Sequence, residues 1–264
     1  MPNQSTPVLE LKGLHKCFQG LTAVSKLDLN VFNNEIIGLI GPNGAGKSTV
    51  LNMIGGTLKP TKGHIFFNGK EISQIPAHKR AKIGISRVFQ ANVLFRNFSV
   101  LDNVLVGMHL QSKVSLFRVL FQRKVVGKEE NKLRHKAELL LASVGLDKCF
   151  EERACNLPHG HQRILALAVA MAVNPRLILL DEPFTGMTDS EVITMMDLVK
   201  KLRIEQNITC IIIEHNLKAV MGLCDRLSVL NFGGKIAEGT PDEIFNNPIV
   251  TEAYLGREEE EDVA

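Results

Sequence analysis

The stretch Gly41-Pro42-Asn43-Gly44-Ala45-Gly46-Lys47-Ser48-Thr49 fits the phosphate-binding pattern G-x-x-x-x-G-K-[ST] at every fixed position. It follows an apolar run, Glu35-Ile36-Ile37-Gly38-Leu39-Ile40, that reads as a strand, and it precedes a helix expected over Ser48 to Gly55. A strand, a glycine-rich turn and a helix form the setting in which this pattern carries chemistry. Glycines let main-chain N–H groups turn inward around phosphate oxygens, and the helix N-terminus adds partial positive charge at the same point. In that reading Lys47 reaches the β- and γ-phosphates, and Ser48 offers its hydroxyl to Mg²⁺.

Outward from this loop the pattern is α/β. Val8-Leu9-Glu10-Leu11 and Ala23 to Val31 alternate apolar and polar residues as strands do. Asn68-Gly69 between Ile65-Phe66-Phe67 and Lys70-Glu71-Ile72 predicts a hairpin. Residues 99 to 150 read as helical; Lys132 to Val144 has helical periodicity, and Glu130 stands four residues before Arg134, a favourable ion-pair spacing. A helix over Gln162 to Val173 leads to the strand Leu177-Ile178-Leu179-Leu180. A helix over Ser190 to Glu205 leads to the strand Thr209-Cys210-Ile211-Ile212-Ile213, and a hairpin around Phe232-Gly233-Gly234 follows. Wholly apolar strands between helices indicate a parallel sheet covered on both faces. The expectation is one α/β core with a helical lobe inserted around residues 91–160.

The composition narrows the function classes. The chain has 264 residues, 45% hydrophobic and 22% charged, an ordinary globular balance. Its longest apolar run, Ile164 to Val173, is ten residues, about half of what a membrane span needs. No secretory signal is visible, and five cysteines without a CxxC pair point to free thiols and argue against zinc. A net charge of +3 gives no sign of a nucleic-acid partner. Two local biases stand out: a basic stretch from Lys113 to Lys136, and the acidic block Glu258 to Asp262, which reads as a solvated tail.

Other residues carry chemistry by position. Asp181-Glu182 ends the strand Leu177 to Leu180, at the edge where parallel sheets bind ligands. Asp181 is placed to hold Mg²⁺, and Glu182 to orient or deprotonate an attacking water. Gly160, before the expected helix start in Leu157-Pro158-His159-Gly160-His161, is either an anion site or a plain loop–helix junction. Gln90, after the strand-like stretch Ile83 to Val88, is either a surface residue or a ligand of hydrated Mg²⁺. His215 is either structural or a hydrogen-bond donor to a γ-phosphate. Phe18 is either a core residue or a face for adenine.

Taken together and in this order, Phe18, the loop 41–49, Gln90, Leu157 to His161, Asp181-Glu182 and His215 resemble the ATP-binding subunits of ABC transporters, over about residues 8–256. The resemblance implies a P-loop NTPase fold in a single nucleotide-binding domain, 1–264. A RecA-like core covers about 8–90 and 161–256, with an N-terminal antiparallel β subdomain. A helical subdomain covers 91–160, and an acidic tail 257–264. It implies ATP and Mg²⁺ as ligands, Gln90 as the Q-loop glutamine and a further metal contact, Leu157 to His161 as the family signature, Glu182 as the catalytic glutamate and His215 as the switch histidine.

A narrower resemblance, to the longer ATPase subunit of branched-chain amino-acid importers, rests on four stretches: Leu157-Pro158-His159-Gly160, Ile213-Glu214-His215-Asn216, Gly239 through Gly256, and the basic segment 111–136. Importers of urea or another small solute share this neighbourhood, and the wider resemblance leaves a non-transport ABC ATPase or a nucleotide-dependent regulator as alternatives. The chain departs from the family pattern at His161, where Gln is usual, at Pro158 and His159, where Ser and Gly are usual, and at Thr188, where the D-loop has Asp. The resemblance further implies a head-to-tail pair with a second ATPase chain and separate transmembrane permease subunits that dock near Ala91 to Leu110. It also implies an extracytoplasmic solute-binding protein and a place on the cytoplasmic face of the inner membrane.

The phosphate assignment has a direct check. Lys47→Ala abolishes nucleotide binding in titration calorimetry; unchanged affinity contradicts it.

Overall fold

The computed structural model describes residues 6–89, 94–109 and 123–255. Their strands form two sheets. β1 (Leu9–Phe18), β2 (Leu21–Val31), β4 (Lys62–Phe67) and β5 (Lys70–Glu71) make an antiparallel sheet in the order β2-β1-β4-β5. β3 (Ile36–Ile40), β6 (Ile85–Val88), β7 (Leu177–Asp181), β8 (Thr209–Ile213), β9 (Arg226–Asn231) and β10 (Gly234–Gly239) make the other, in the order β10-β9-β3-β8-β7-β6. Strands β9, β3, β8, β7 and β6 run parallel, and β10 joins antiparallel at the edge.

Alternation along the apolar strands fills two cores, one on each face of the parallel sheet. Ile36, Ile178, Leu180, Cys210 and Ile212 enter one. Ile37, Leu39, Leu177, Leu179, Ile211 and Ile213 enter the other. The second core is closed by α1 (Lys47–Gly55) and by the inward face of the antiparallel sheet, with Leu9, Leu11, Leu27 and Ile65. The first is closed by α5 (His159–Met171), α6 (Asp189–Gln206) and α7 (Leu217–Leu223). Between α2 (Ala77–Lys82) and α5, α3 (Val100–His109) packs against α4 (Arg123–Ser143) and α5, so the helical lobe shares the first core. Two short helices, α8 (Pro241–Phe245) and α9 (Pro248–Leu255), end the described chain. No helix among the described residues is long and apolar enough to cross a membrane.

Three local expectations shift. β1 runs on to Phe18, well beyond Leu11. Helix α5 begins at His159 rather than Gln162, because Pro158 holds extended backbone (φ −53°, ψ 152°) and acts as the N-cap. Arg134 pairs with Glu138 (3.1 Å) and Glu151 (2.8 Å) instead of Glu130, since a second carboxylate lies within its reach beyond the helix. These contacts are exposed and contribute little to stability. The hairpin expected at Asn68-Gly69 forms, with both residues at positive φ. Cys210 and Cys224 are buried, and burial pushes both thiols up to about 12.

One charged residue supports the helix behind the phosphate loop. Arg80 of α2 is fully buried. Its guanidinium donates to the carbonyls of Met53 (2.6 Å) and Ile54 (2.7 Å) in the last turn of α1, and to those of Ile72 (2.6 Å), Ser73 (3.2 Å) and Ile75 (2.7 Å). Burial lowers its pKa to about 10, so it stays charged at neutral pH and meets the negative end of the α1 dipole. Arg80→Leu strands these carbonyls, and urea denaturation should show a loss of about 3 kcal/mol or more. A loss within experimental error would mean that the arginine is replaceable.

Candidate functional site

The phosphate loop is pressed between main-chain groups that leave no room for side chains. Gly41 sits at φ 145°, and an added Cβ would fall on the Leu230 carbonyl. Gly46, at φ 98°, admits the Ala23 carbonyl in the same way. Ala45 N–H donates to the Pro42 carbonyl (3.2 Å), tightening the turn, and Gly233 N–H donates to the Ala45 carbonyl (3.1 Å). Gly46 is the N-cap of α1, with no side-chain cap and no acid in the first turn. First-turn amides that lack a side-chain acceptor suit a phosphate. The Lys47 ammonium is buried and donates to the carbonyls of Gly41 (2.7 Å) and Pro42 (3.0 Å), within the loop itself. Ser48 and Thr49 follow in the first turn of α1.

Asp181, Glu182 and His215 gather at the C-terminal edge of the parallel sheet. Asp181 ends β7 level with Ile213 of β8, and β8 lies between β7 and β3, the strand that leads into the phosphate loop. Asp181 is buried and paired with Arg87 of β6 at 2.5 Å. Ser48 and Asp181 offer oxygen ligands only, which suits a hard cation such as magnesium. Among the described residues no three His, Cys, Asp or Glu side chains cluster as a protein-only metal cage.

Glu182 takes φ 48°, a left-handed conformation that few non-glycine residues adopt. Its N–H is held by the Ile213 carbonyl (2.9 Å) and its Oε2 accepts from the Thr185 hydroxyl (3.3 Å). His215 Nε2 lies 3.5 Å from Glu182 Oε1. Between them Glu214 is buried, and its carboxylate accepts N–H bonds from Phe184 (3.0 Å), His215 (3.1 Å) and Asn216 (3.3 Å). Burial raises the Glu214 pKa, while the three amides pull the other way. One carboxylate thus fixes the loop after β7 against the loop after β8, and with them the Glu182–His215 contact. Arg163 of α5 faces both Glu214 and Glu182, and burial lowers its pKa.

The stretch Leu157 to His161 lies at the start of α5, on the far side of the loop after β7. Leu157 is buried, and its carbonyl accepts from the Gln162 side chain (2.8 Å). His159 packs its ring on Gly186. Gly160 lies inside the first turn of the helix, not before it, and its amide faces the carboxylate of Glu191. Glu191 also accepts from the Thr188 N–H (2.8 Å) and hydroxyl (2.9 Å), a capping box that starts α6. These hydrogen bonds lower its pKa.

The structure therefore brings Asp181, Glu182 and His215 to one edge with the phosphate loop, and leaves Leu157 to His161 at a different element. Phe18 is half-exposed at the end of β1, its ring under the Lys16 ammonium (4.9 Å), so the reading of it as a core residue is set aside. It faces Leu21 across a turn at Gln19-Gly20, just before the β2 segment whose Ala23 carbonyl meets Gly46. Gln90, residues 111–122 of the basic segment and the acidic tail lie outside the described residues. Sequence reasoning missed Arg87, Arg163 and Glu214. Arg87 gave a signal, as a charge in a short strand, Ile85-Ser86-Arg87-Val88, whose other residues are buried.

Comparisons with known proteins bear on the family and the fold. The "ABC transporter" family model matches residues 24–185, and the "Branched-chain amino acid ATP-binding cassette transporter" model matches residues 235–260. The high-affinity branched-chain amino acid transport ATP-binding protein LivG of Escherichia coli (strain K12) is 40% identical over 252 residues, 96% of this chain and 99% of that protein. The corresponding protein BraF of Pseudomonas aeruginosa is 39% identical over the same shares. The crystal structure of the ADP conformation of MJ1267, an ATP-binding cassette of an ABC transporter, superposes with a TM-score of 0.84 at 30% identity, covering 96% of this chain and all of the other. Phosphate loop, sheet-edge acids and full-length likeness converge: the chain belongs to the ABC transporter family as an ATP-binding cassette.

Proposed function

We propose that this chain is the ATP-hydrolysing subunit of an importer of branched-chain amino acids, working through separate membrane subunits. The observation that carries the reading is the joint placement of the phosphate loop, Asp181, Glu182 and His215 along one sheet edge, in a chain 40% identical to LivG nearly end to end. The match of residues 235–260 to the branched-chain model favours that solute over urea.

In this reading the loop Gly41 to Thr49 wraps the phosphates with its amides, and Lys47 leaves the carbonyls of Gly41 and Pro42 to meet the γ-phosphate. Phe18 stacks on adenine. Ser48 and Asp181, with Gln90, would hold magnesium, which when bound neutralises charge on the β- and γ-phosphates. Glu182 takes the proton of the attacking water, and the His215 ring beside it keeps the carboxylate aimed. Leu157 to His161 serve the nucleotide held by a second ATPase chain, with the start of α5 directed at its γ-phosphate. The pair closes on ATP and opens after hydrolysis.

The membrane subunits dock where the helical lobe meets the core. A cavity of about 340 Å³ opens there, lined by Ala81, Val88, Phe89, Leu94, Val169 and other mostly apolar groups. Exposed Phe95 and Phe98 stack at 5.2 Å close by in sequence. An apolar recess flanked by exposed aromatics suits an inserted helix of a partner. The assembly implies an extracytoplasmic solute-binding protein and a position on the cytoplasmic face of the inner membrane, held there by the permease subunits. The core spans about 8–90 and 161–256, with the helical subdomain at 91–160.

Reconstituted with its membrane subunits and receptor, the complex hydrolyses ATP faster with leucine than with urea; the reverse order overturns the solute assignment. In the same assay Glu182→Gln retains ATP binding and loses turnover by about 10²-fold or more. Turnover near the wild-type rate in that variant would remove the base from Glu182.

A further inference from the structure

Arg87 is out of place in its strand, and three contacts explain what it does there. Its Nη2 donates to Asp181 Oδ2 at 2.5 Å, with both side chains almost wholly buried. Its Nη1 donates to Asn52 Oδ1 at 2.7 Å, on α1 just behind the phosphate loop. The guanidinium lies over the ring of Phe89 at 4.6 Å, two residues further along the chain. Its Nε is buried with no hydrogen-bond partner among the described residues. One cation therefore touches the phosphate-loop helix, the sheet-edge carboxylate and the segment that leads out of β6.

We infer that Arg87 is a built-in counter-cation to Asp181 that competes with the divalent metal for this carboxylate and passes metal loading on to Phe89. The inference rests on the proposed reading of Asp181 as a metal-holding group. A buried carboxylate without a positive partner is costly, so Arg87 stabilises the metal-free site. A divalent cation arriving at Asp181 meets the guanidinium as a like charge in a region of low dielectric. The pair must then loosen. Because Asn52 and Phe89 hold the other sides of the same planar group, its displacement reaches α1 and the start of the segment after β6 together. Arg87 is thus a positioning residue: it acts through Asp181 and Phe89 and needs no contact with the nucleotide. A purely structural arginine would make no such trade against metal.

Binding of Mn²⁺ in the presence of ADP, followed by electron paramagnetic resonance, tests this without turnover. Arg87→Gln removes the charge and should tighten Mn²⁺ binding by about tenfold or more, whereas Arg87→Lys keeps the charge and should stay within about twofold of wild type. Unchanged or weaker Mn²⁺ binding in Arg87→Gln overturns the inference. Asp181→Asn separates the premise from the inference. If it leaves Mn²⁺ affinity unaltered, the metal reading of Asp181 fails, and the competition has no carboxylate to act on. If Arg87→Gln does not fold, the chain's lack of tryptophan supplies a second readout. In Phe89→Trp, the single tryptophan should change its emission when Mg²⁺ is added to the ADP-bound protein. An emission that nucleotide alone alters and metal does not contradicts the proposed link.

Discussion

The arrangement depends on how closely three stretches of main chain approach around the phosphate loop. Gly41 packs on the carbonyl of Leu230, Gly46 on that of Ala23, and Gly233 reaches both the Ala45 carbonyl and the Ser25 amide (2.8 Å). A Cβ at any of these glycines would collide with backbone, which cannot swing aside as a side chain can. The loop is therefore a seam that joins the antiparallel sheet, through β2, to the parallel sheet, through β9. Preorganised amides of this kind grip an anion without reordering at the moment of binding. The cost in glycine conformational entropy is offset by the two apolar cores that meet on either side.

Around that seam the charged groups are held by partners that fix their direction. Glu214 clamps three amides and so sets Glu182 against His215. Arg80 closes the far end of α1, and Arg87 ties Asp181 to that helix. Each is a buried charge, and each is satisfied largely by main chain or by one opposite charge, the condition under which burial is tolerated. Glu191 does the same for α5 from outside, reaching Gly160 from the first turn of α6. In this state the Gly160 amide is already taken by an internal carboxylate.

The phosphate loop and the parallel strands were legible because their information is local. A nine-residue pattern needs no partner to be recognised, and an apolar run between helices implies its own burial. Asp181 and Glu182 could be read for the same reason, as acids at a strand's end. The neighbourhood of Glu182 and His215 could not be read from spacing; it follows from β7 and β8 lying side by side, which only the sheet order shows. Glu214 was hidden between an apolar strand and a more conspicuous histidine. Nothing local separates Arg80, which is buried, from Lys79 and Lys82 beside it, which are exposed. Two helix starts carried a signal that went unread: Thr188 with Glu191, and Thr240 with Glu243, both form capping boxes.

The central claim is that one chain grips a nucleotide with its phosphate loop while its signature stretch serves the nucleotide of its partner. Amide hydrogen exchange with MgATP, on the hydrolysis-deficient chain paired with its partner ATPase, measures both at once. The account predicts slowed exchange across residues 43–49 and across 159–162, the latter only when the partner chain is present. Protection of neither segment, or of the phosphate loop alone in the closed pair, would contradict it.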